Sequence, residues 1–354
     1  MKIAALVSGG VDSSVVVHLL KEQGFTPDIF YIHIAPDSDD GFFSCPAEED
    51  VEIVTWLAHK YGCHMEQIDL SKEYEESVIR YTVDSARRGL TPNPDVMCNR
   101  TIKFGAFVDR CGSNYDRIAT GHYATTDTYA DHVFIATAKD PVKDQTDFLS
   151  QLDYSQIRQL MFPIGNLMKQ QVRDIANAAS LPSATRKDSQ GICFLGKVNY
   201  NDFLRRYLGE REGMIVEQET GKILGTHKGY WFHTIGQRKG LCLGGGPWFV
   251  VKKDIEENVI YVSHGYDTAA QYGNHIEING FRHLSTNIWG DDRMIDVKFK
   301  IRHTPEFHQG QLHLLPGDAA TIDSDDPIQG IAAGQYATIY DNDAHLMVAS
   351  GMIV

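Results

Sequence analysis

The sequence lacks the cysteine pairs, long apolar segments and leader that would indicate a zinc ribbon, a membrane protein or a secreted protein. None of its six cysteines forms a Cys-x-x-Cys pair, and its fifteen histidines are scattered, so no metal site of the zinc type is predicted. No apolar run reaches the roughly 20 residues of a membrane span, and the N-terminus enters a strand without a signal peptide. These absences predict a cytoplasmic protein without a membrane partner.

Basic residues are also in the minority. The 33 Lys and Arg residues face 47 Asp and Glu residues, which gives a formal net charge of −14. Phosphate binding needs local positive charge, so a nucleic-acid partner would have to contact a restricted basic patch. With 354 residues, of which 42% are hydrophobic and 23% charged, the chain is typical of a soluble protein with two or three domains.

The most informative stretch is a glycine-rich turn near the N-terminus. Ser8, Gly9 and Gly10 lie between an apolar strand predicted over residues 2–7 and a helix predicted over residues 11–21. Backbone amides and the helix dipole at such a turn bind an anion. No lysine follows the glycines, which excludes a Walker A loop, and the spacing excludes a dinucleotide-binding fingerprint. Taken alone, the turn also fits an ordinary strand-to-helix connection.

Strands and helices alternate over the first 120 residues, which predicts an α/β fold with a doubly wound parallel sheet. Ligands bind at the carboxyl ends of such strands, where Ser8, Gly121 and His122 are placed, so a nucleotide crevice is expected there. The predicted strands cover residues 2–7, 28–34, 64–70 and 117–120, and the predicted helices cover residues 11–21, 46–61, 74–88 and 102–111.

Beyond about residue 209 the pattern changes to short β-like runs separated by glycines. We therefore predict a PP-loop-type nucleotide-binding catalytic domain over 1–208, a small central domain over 209–270 and a C-terminal β-barrel-like domain over 271–354. Between residues 295 and 302 apolar and charged residues alternate, which predicts a half-buried strand. Its expected solvent face carries Lys298, Lys300 and Arg302.

The segment from Thr91 to Arg100 contains two prolines, which predict a shaped loop and not a helix or strand. Cys98 then precedes a helix expected to begin near Thr101, where the helix dipole and nearby cations favour a thiolate. The alternative is a buried structural cysteine. Cys193 has a comparable polar setting, but it lies 95 residues further on, so sequence spacing does not pair the two. Two candidate thiols and a nucleotide loop fit a thiol-dependent transferase whose acceptor is unspecified.

Six segments occur in the order seen in the tRNA-specific 2-thiouridylases, and the chain resembles that family over nearly its whole length. The first segment alone resembles the loop of the ATP pyrophosphatases (the PP-loop family), which cleave ATP to AMP and pyrophosphate. The segments are Ser8-Gly9-Gly10-Val11-Asp12-Ser13, Thr91-Pro92-Asn93-Pro94-Asp95 with Cys98-Asn99, Ala119-Thr120-Gly121-His122-Tyr123, Lys143-Asp144-Gln145, Lys187-Asp188-Ser189-Gln190-Gly191-Ile192-Cys193-Phe194 and His233-Thr234-Ile235-Gly236-Gln237-Arg238-Lys239-Gly240.

The resemblance implies ATP-dependent 2-thiolation of the wobble uridine of tRNA. ATP would adenylate the C2 oxygen, with Mg²⁺ neutralising the pyrophosphate, and a persulfide on Cys193 would deliver sulfur to C2. Cys98 would be the partner thiol, leaving a Cys98–Cys193 disulfide to be reduced. The implied partners are tRNA and a persulfide donor, either a cysteine desulfurase or a sulfur-relay protein.

The resemblance also implies site residues. Ile32 stands where the family often carries methionine, and His303 stands where a tyrosine often follows the arginine. The implied nucleotide contacts are Leu6, Val7, Ser8, Gly9, Gly10, Val11, Asp12, Ser13, Ile32 and Gly121. The implied tRNA contacts are Asn93, Pro94 and Asp95 at the target base, which has to be flipped from its stack, and His122, Lys143, Asp144, Gln145, Arg302, His303 and Gln335 elsewhere. With Arg302 among them, the strand face of Lys298, Lys300 and Arg302 is a candidate tRNA-backbone patch.

Three alternatives stay open at this point. The first is that the chain is another adenylating PP-loop ligase, and the second is that it is a catalytically inactive scaffold that binds tRNA or a sulfur carrier. The third concerns Cys45 if the chain is a thiouridylase. Cys45 is then either structural, as Cys63, Cys111 and Cys242 are expected to be, or a third ligand of an iron–sulfur cluster with Cys98 and Cys193.

Overall fold

The computed structural model describes residues 1–34, 47–188, 199–266 and 271–354. Over these ranges the chain forms an N-terminal α/β domain, a small central sheet and a C-terminal closed barrel, which confirms the predicted fold class. The domain limits at residues 208 and 270 stay predictions. Cys45 and Cys193 lie outside the described residues. None of the helices in the described ranges is long and apolar enough to cross a membrane.

The N-terminal region contains seven described strands. They are β1 (Ile3–Leu6), β2 (Asp28–His33), β3 (Met65–Asp69), β4 (Arg117–Ala119), β5 (Thr125–Tyr129), β6 (His132–Ala136) and β7 (Leu160–Met161). Five of them form a parallel sheet in the order β3-β2-β1-β4-β7, in which β1 pairs with β2 on one side and with β4 on the other. The order reverses between β1 and β4, and such a switch point opens a crevice at the carboxyl ends of the two strands.

Strand β1 is apolar throughout because both faces of the parallel sheet are covered. All four residues of its Ile-Ala-Ala-Leu sequence are buried. Successive side chains point to opposite faces, so Ala4 and Leu6 join one hydrophobic cluster while Ile3 and Ala5 join the other. The strand therefore anchors the turn that follows it in both layers of the core.

Helices cover the two faces of this sheet. The α-helices are α1 (Val11–Glu22), α2 (Ala47–Tyr61), α3 (Ser71–Tyr74), α4 (Arg80–Arg87), α5 (Pro94–Cys98), α6 (Phe107–Arg110), α7 (Tyr154–Ile157), α8 (Lys169–Ala178) and α9 (Tyr200–Leu208). Two π-helical segments, Glu75–Ile79 and Asn99–Ala106, join α3 to α4 and α5 to α6. Short 3₁₀ turns lie at Gly112–Asn114, Thr146–Leu149, Pro182–Thr185 and Tyr230–Phe232.

The helix expected to begin near Thr101 begins earlier, at Pro94, so the prediction of a loop over this segment was wrong. Asn93 is the N-cap, and its side-chain oxygen accepts a hydrogen bond from Val96 N at 3.3 Å. Proline is favoured at the first helical position, where its missing N–H is not needed. Cys98 therefore lies inside a continuous helical stretch, and the helix start that was expected to favour its thiolate is not there.

The central region forms one four-stranded sheet. Its strands are β8 (Gly213–Glu217), β9 (Ile223–His227), β10 (Trp248–Asp254) and β11 (Val259–His264), in the order β10-β11-β8-β9. Side chains from these strands form a small hydrophobic core, which includes Ile215, Val250, Ile260 and Val262.

The C-terminal region is a closed six-stranded barrel. Its strands are β12 (Tyr272–His283), β13 (Met294–Lys300), β14 (His308–Leu314), β15 (Ala319–Gln329), β16 (Tyr336–Tyr340) and β17 (Leu346–Ile353). They pair in the order β12-β15-β14-β13-β16-β17, and β12 pairs with β17 to close the ring. Residues such as Ile276, Val297, Phe299 and Ile322 fill the interior. The expected C-terminal barrel is confirmed.

A hairpin from the N-terminal domain extends the barrel sheet, and no sequence pattern predicted it. Strands β5 and β6 pair with each other, and β6 pairs with the first two residues of β17, Leu346 and Met347. The later part of β17 pairs with β12. The two domains thus share one hydrogen-bonded ladder.

The predicted solvent face of β13 is only partly correct. Val297 and Phe299 point into the barrel as expected, and Lys298 is half-buried. Lys300, however, is 1% exposed and pairs with Asp144 of the N-terminal domain. The two-residue period places Lys300 on the outer face, but at this position the outer face packs against the other domain. Lys300 therefore does not belong to a solvent-exposed tRNA patch.

Candidate active site

A cavity of about 290 Å³ opens at the carboxyl ends of β1 and β4. Among the residues predicted for the site, those that line it are Leu6, Val7, Ser8, Gly10, Val11, Asp12, Ser13, Ile32, Gly121, His122, Lys143 and Gln145. Seven further residues, none predicted to lie there, also line it: Phe30, Lys103, Thr120, Tyr123, Lys169, Lys187 and Asp188. The cavity lies at the switch point of the sheet, where a ligand crevice is expected.

The turn after β1 is held by hydroxyl groups on the first turn of α1. Ser14 Oγ donates to the Gly10 carbonyl at 2.7 Å, and Ser13 Oγ accepts from Ser8 N at 3.2 Å. The first amides of a helix have no partner within it, so they point out of the N-terminus toward the cavity. Gly9 itself does not line the cavity. Its φ is +78°, and a Cβ there would lie 2.9 Å from Asp50 Cα.

Gly121 lies where the end of β4 meets the N-terminus of α1. A Cβ on this residue would lie 2.9 Å from Ser13 N and 3.1 Å from the carbonyl carbon of Asp12. Both are backbone atoms of a buried helix, so neither can move aside as a flexible side chain would. Glycine at this position allows the two walls of the cavity to approach each other.

The cavity is positively charged although the protein as a whole is acidic. Four lysines line it (Lys103, Lys143, Lys169 and Lys187), against two aspartates. Burial alone raises the pKa of the Asp188 carboxyl, but the hydrogen bonds and charges of Lys143 and Lys169 outweigh that effect and hold this pKa at about 2. This local excess of lysine over aspartate favours the binding of an anion in the cavity.

His122 and Tyr123 continue the wall beyond Gly121. Burial, with a smaller contribution from Lys103, holds the pKa of His122 well below its ordinary value, so the ring is neutral at pH 7. Its Nδ1 lies 2.9 Å from Thr120 Oγ1. The Tyr123 hydroxyl donates to Asp12 Oδ1 at 3.0 Å, and Gln145 Oε1 accepts from Tyr123 N at 3.0 Å. These bonds fix Asp12 and Gln145 at the cavity.

The segment before α5 is held by the C-terminal barrel. The Gln335 amide donates to the carbonyls of Thr91 (3.0 Å) and Pro92 (3.3 Å), and Thr91 N donates to the Ala333 carbonyl at 2.8 Å. Gln335, expected as a tRNA contact, thus fixes the backbone that leads into Asn93. Asn93, Pro94 and Asp95 form the start of α5.

Cys98 is fully buried in the core of the N-terminal domain and does not line the cavity. Cys63, Cys98, Cys111 and Cys242, the cysteines within the described ranges, form no disulfide with one another. In the same part of the chain, no group of three or more His, Cys, Asp or Glu side chains is arranged to hold a metal ion. The iron–sulfur alternative involves Cys45 and Cys193 and falls outside the described residues.

Arg302 and His303 lie on the barrel, away from the cavity. The Arg302 guanidinium donates to the Gln329 carbonyl at 3.1 Å and to that of Gly330. His303 stacks on Phe148 with ring centroids 4.6 Å apart, and its Nδ1 lies 3.1 Å from Asp147. The hydrogen bond with Asp147 raises the pKa of His303, which favours a charged ring.

Asp144 was expected to contact tRNA, but it is buried between the N-terminal domain and the barrel. Its Oδ1 accepts from Thr146 Oγ1 at 2.6 Å and from Lys300 Nζ at 3.2 Å, and its Oδ2 accepts from Ala138 N at 2.8 Å. Tyr340 OH lies 2.6 Å from Thr146 Oγ1. With both oxygens occupied and 3% of the residue exposed, Asp144 has a structural role in place of the expected contact. Its neighbours Lys143 and Gln145 do line the cavity.

The structure therefore brings the predicted nucleotide residues, except Gly9, together with His122, Lys143 and Gln145 around the cavity. Cys98 is buried in the core and does not line the cavity. The most important residue that sequence reasoning missed is Lys169. Its Nζ lies 2.7 Å from Asp12 Oδ1, although the two are 157 positions apart. No local motif marks it, since Lys169 is the first residue of an ordinary helix.

Three protein-family profiles match consecutive parts of the chain. The profile described as the tRNA methyl transferase HUP domain matches residues 1–197, which is more than half of the chain. The profile described as the tRNA methyl transferase PRC-barrel domain matches residues 201–264. The aminomethyltransferase beta-barrel domain profile matches residues 275–353.

Curated relatives match the chain from end to end. The tRNA-specific 2-thiouridylase MnmA of Parabacteroides distasonis is 61% identical over 355 residues, covering 100% of this chain and 99% of the relative. The protein of the same name from Porphyromonas gingivalis is 61% identical over 359 residues with the same coverage. The tRNA-specific 2-thiouridylase MnmA 2 of Bacteroides fragilis is 58% identical over 354 residues and 100% of both chains.

Proposed function

The chain belongs to the tRNA-specific 2-thiouridylase family, and from this premise we propose how this enzyme thiolates tRNA: it consumes ATP to adenylate the C2 oxygen of the wobble uridine. The observation that carries the proposal is the lysine-lined cavity at the β1–β4 switch point. Its glycine turn and helix N-terminus offer amides to phosphate, while Leu6, Phe30 and Ile32 offer an apolar wall to adenine. The absence of a Walker lysine favours chemistry at the α-phosphate.

The base would enter beside the start of α5. Asn93, Pro94 and Asp95 are the residues assigned to it by resemblance, and a wobble base has to leave its stack to be modified. The barrel holds this segment through Gln335, so the target base would meet a fixed surface. His122, neutral and hydrogen-bonded to Thr120, would lie between the nucleotide cavity and the bound tRNA.

Two thiols, those of Cys193 and Cys98, account for the proposed sulfur transfer. The C2 oxygen attacks the α-phosphorus and pyrophosphate leaves; the terminal sulfur of a Cys193 persulfide then attacks C2 and expels AMP. The Cys98 thiolate next attacks the Cys193 sulfur, which releases 2-thiouridine and forms a Cys98–Cys193 disulfide. An external dithiol reduces that disulfide, and a cysteine desulfurase or sulfur-relay protein reloads Cys193.

The donor set of the cavity fits Mg²⁺, which commonly takes one or two carboxylates together with substrate phosphates. Asp12 lies in the first turn of α1 and lines the cavity, and its carboxylate would hold the ion through a lone pair that its hydrogen bonds with Lys169 and Tyr123 leave available. Bound there, Mg²⁺ would neutralise charge on the pyrophosphate.

The proposed reaction is tested with ATP labelled in the adenine ring. Incubation with substrate tRNA, a persulfide donor and a dithiol reductant should yield labelled AMP, and an equal amount of pyrophosphate, in step with 2-thiouridine. Chromatography measures AMP, a coupled enzymatic assay measures pyrophosphate, and mass spectrometry of digested tRNA measures 2-thiouridine. Accumulation of ADP would contradict α-phosphate chemistry. AMP release that does not depend on tRNA would favour another adenylating ligase, and a lack of any release would favour an inactive scaffold.

Replacing Gly121 with alanine should weaken ATP binding about 10- to 100-fold, because the added Cβ forces apart the two backbone walls of the cavity and overpacking of this kind costs about 1–3 kcal/mol. Isothermal titration calorimetry measures the loss. Gly244→Ala is the matched control, since nothing lies within 4 Å of a Cβ there. Equal ATP affinity of the two variants would show that the close approach at Gly121 has no bearing on the nucleotide.

A further inference from the structure

Lys169 is surrounded by carboxylates within the cavity. Its Nζ lies 2.7 and 2.8 Å from the two oxygens of Asp12 and 2.9 Å from Asp188 Oδ1. Its side chain is 13% exposed, and the Nζ lies 5.7 Å from the centre of the Tyr123 ring. The backbone N–H of Lys169 donates to Asp140 Oδ2 at 2.8 Å, which fixes the start of α8. The ammonium group is thus positioned from several sides beside the glycine turn.

The Asp188 carboxylate contacts three cationic side chains. Lys143 Nζ lies 2.8 Å from its Oδ2, and Arg173 Nη2 lies 2.6 Å from the same Oδ1 that Lys169 contacts. Two of these three partners, Lys143 and Lys169, line the cavity, whereas Arg173 does not. In a cavity that suits phosphate, a carboxylate paired with two lysines occupies the cations that a bound phosphate would otherwise contact.

We propose that Lys169 is the cation that binds the β- and γ-phosphates of ATP, and that Asp188 occupies this lysine until the nucleotide enters. The inference rests on the proposed function and adds a residue to it. Lys169 supplies from α8 the charge that a Walker A loop carries within its own glycine turn. When polyphosphate binds, Lys169 exchanges Asp188 for phosphate oxygens, and Arg173 keeps the released carboxylate paired.

Asp188 competes with phosphate for the lysines as a full anion, because the hydrogen bonds and charges of Lys143 and Lys169 hold the pKa of its carboxyl far below neutrality. Asp12 is different, because Tyr123 also donates to it and holds it in place. Removing the Asp188 charge should therefore strengthen polyphosphate binding, while removing the Lys169 charge should weaken it.

The test uses inorganic pyrophosphate, AMP and ATP as probes, without divalent metal, in isothermal titration calorimetry of the full chain. Lys169→Met should bind pyrophosphate and ATP about 10- to 100-fold more weakly, the usual range for a hydrogen bond between charged groups, and Lys169→Arg should recover most of that loss. AMP, which lacks the β- and γ-phosphates, should bind both variants within about twofold of the unsubstituted protein. Asp188→Asn should bind pyrophosphate several-fold more tightly.

Lys139→Met is the control, because Lys139 is exposed and outside the cavity. The proposal fails if Lys169→Met keeps its affinity for pyrophosphate, if it loses AMP and pyrophosphate equally, as a structural lysine would, or if Asp188→Asn binds pyrophosphate more weakly. Protein that binds pyrophosphate through Lys169 but releases no AMP with tRNA would overturn the proposed function and support the assignment of Lys169.

Discussion

Cys98→Ser and Cys193→Ser variants should both make no 2-thiouridine, yet only the Cys98 variant should accept sulfur from a desulfurase. Cys98 is buried on a helix whose start is held by the barrel, so an external donor cannot reach it in this conformation. The acceptor of donor sulfur is therefore assigned to Cys193. Serine is nearly isosteric with cysteine, so neither substitution should unfold the chain. Intact-mass measurement after loading detects the added sulfur, and mass spectrometry of digested tRNA detects the product.

Cys111→Ser is the matched control for this pair. Burial, with a smaller contribution from Glu66, raises the pKa of Cys111 to about 11, so roughly one molecule in 10⁴ carries the thiolate at pH 7. This variant should load sulfur and thiolate tRNA as the unsubstituted protein does. If Cys193→Ser loads normally and Cys98→Ser does not, the two roles are reversed. Equal thiolation by the Cys98 variant would remove that residue from the reaction.

Replacing Lys300 with methionine should destabilise the protein by about 3–5 kcal/mol, the cost of leaving a buried carboxylate without its partner. Lys300 and Asp144 are both almost fully buried, and their N–O distance is 3.2 Å. Denaturant unfolding followed by fluorescence measures the loss. The double variant Asp144→Asn, Lys300→Met should recover most of it, because neither charge of the pair is then buried without its partner and the hydroxyls of Thr146 and Tyr340 can reorient toward the amide.

Lys298→Met, on the same strand but half-buried, is the control and should change the free energy of unfolding by no more than about 0.5 kcal/mol. If Lys300→Met has the same free energy of unfolding as Lys298→Met, the buried ion pair does not stabilise the contact between the barrel and the N-terminal domain. If the double variant is no more stable than Lys300→Met, the loss comes from other contacts of the lysine, such as that of its Nζ with the Phe307 ring, 4.4 Å from the ring centroid.

The features predicted correctly are those encoded locally. Strand β1, the glycine turn and α1 follow one another in the chain, so apolar runs and turn residues identify them without tertiary information. The start of α5 is also encoded locally, since Asn93 followed by Pro94 is the sequence of a capped helix, but two prolines so close together are equally typical of a loop.

The features that the sequence did not predict depend on contacts between distant segments of the chain. A two-residue period tells which face of β13 carries Lys300, but not that the N-terminal domain covers that face. Likewise, nothing near Lys169 in the sequence indicates that α8 reaches the glycine turn. In both cases the missing information is the identity of the neighbour, which the topology decides and a local pattern does not contain.

The shared β-ladder has a consequence for the order of folding on the ribosome. Domains usually fold as they emerge, the N-terminal one first. In the described part of the chain, β6 pairs only with β5 and with the beginning of β17, the last strand there. A two-stranded hairpin is marginally stable by itself, and its open edge can pair with other chains. The N-terminal domain therefore cannot complete its hydrogen bonding until residues 346 and 347 have been made, and one edge of its hairpin stays exposed for most of synthesis.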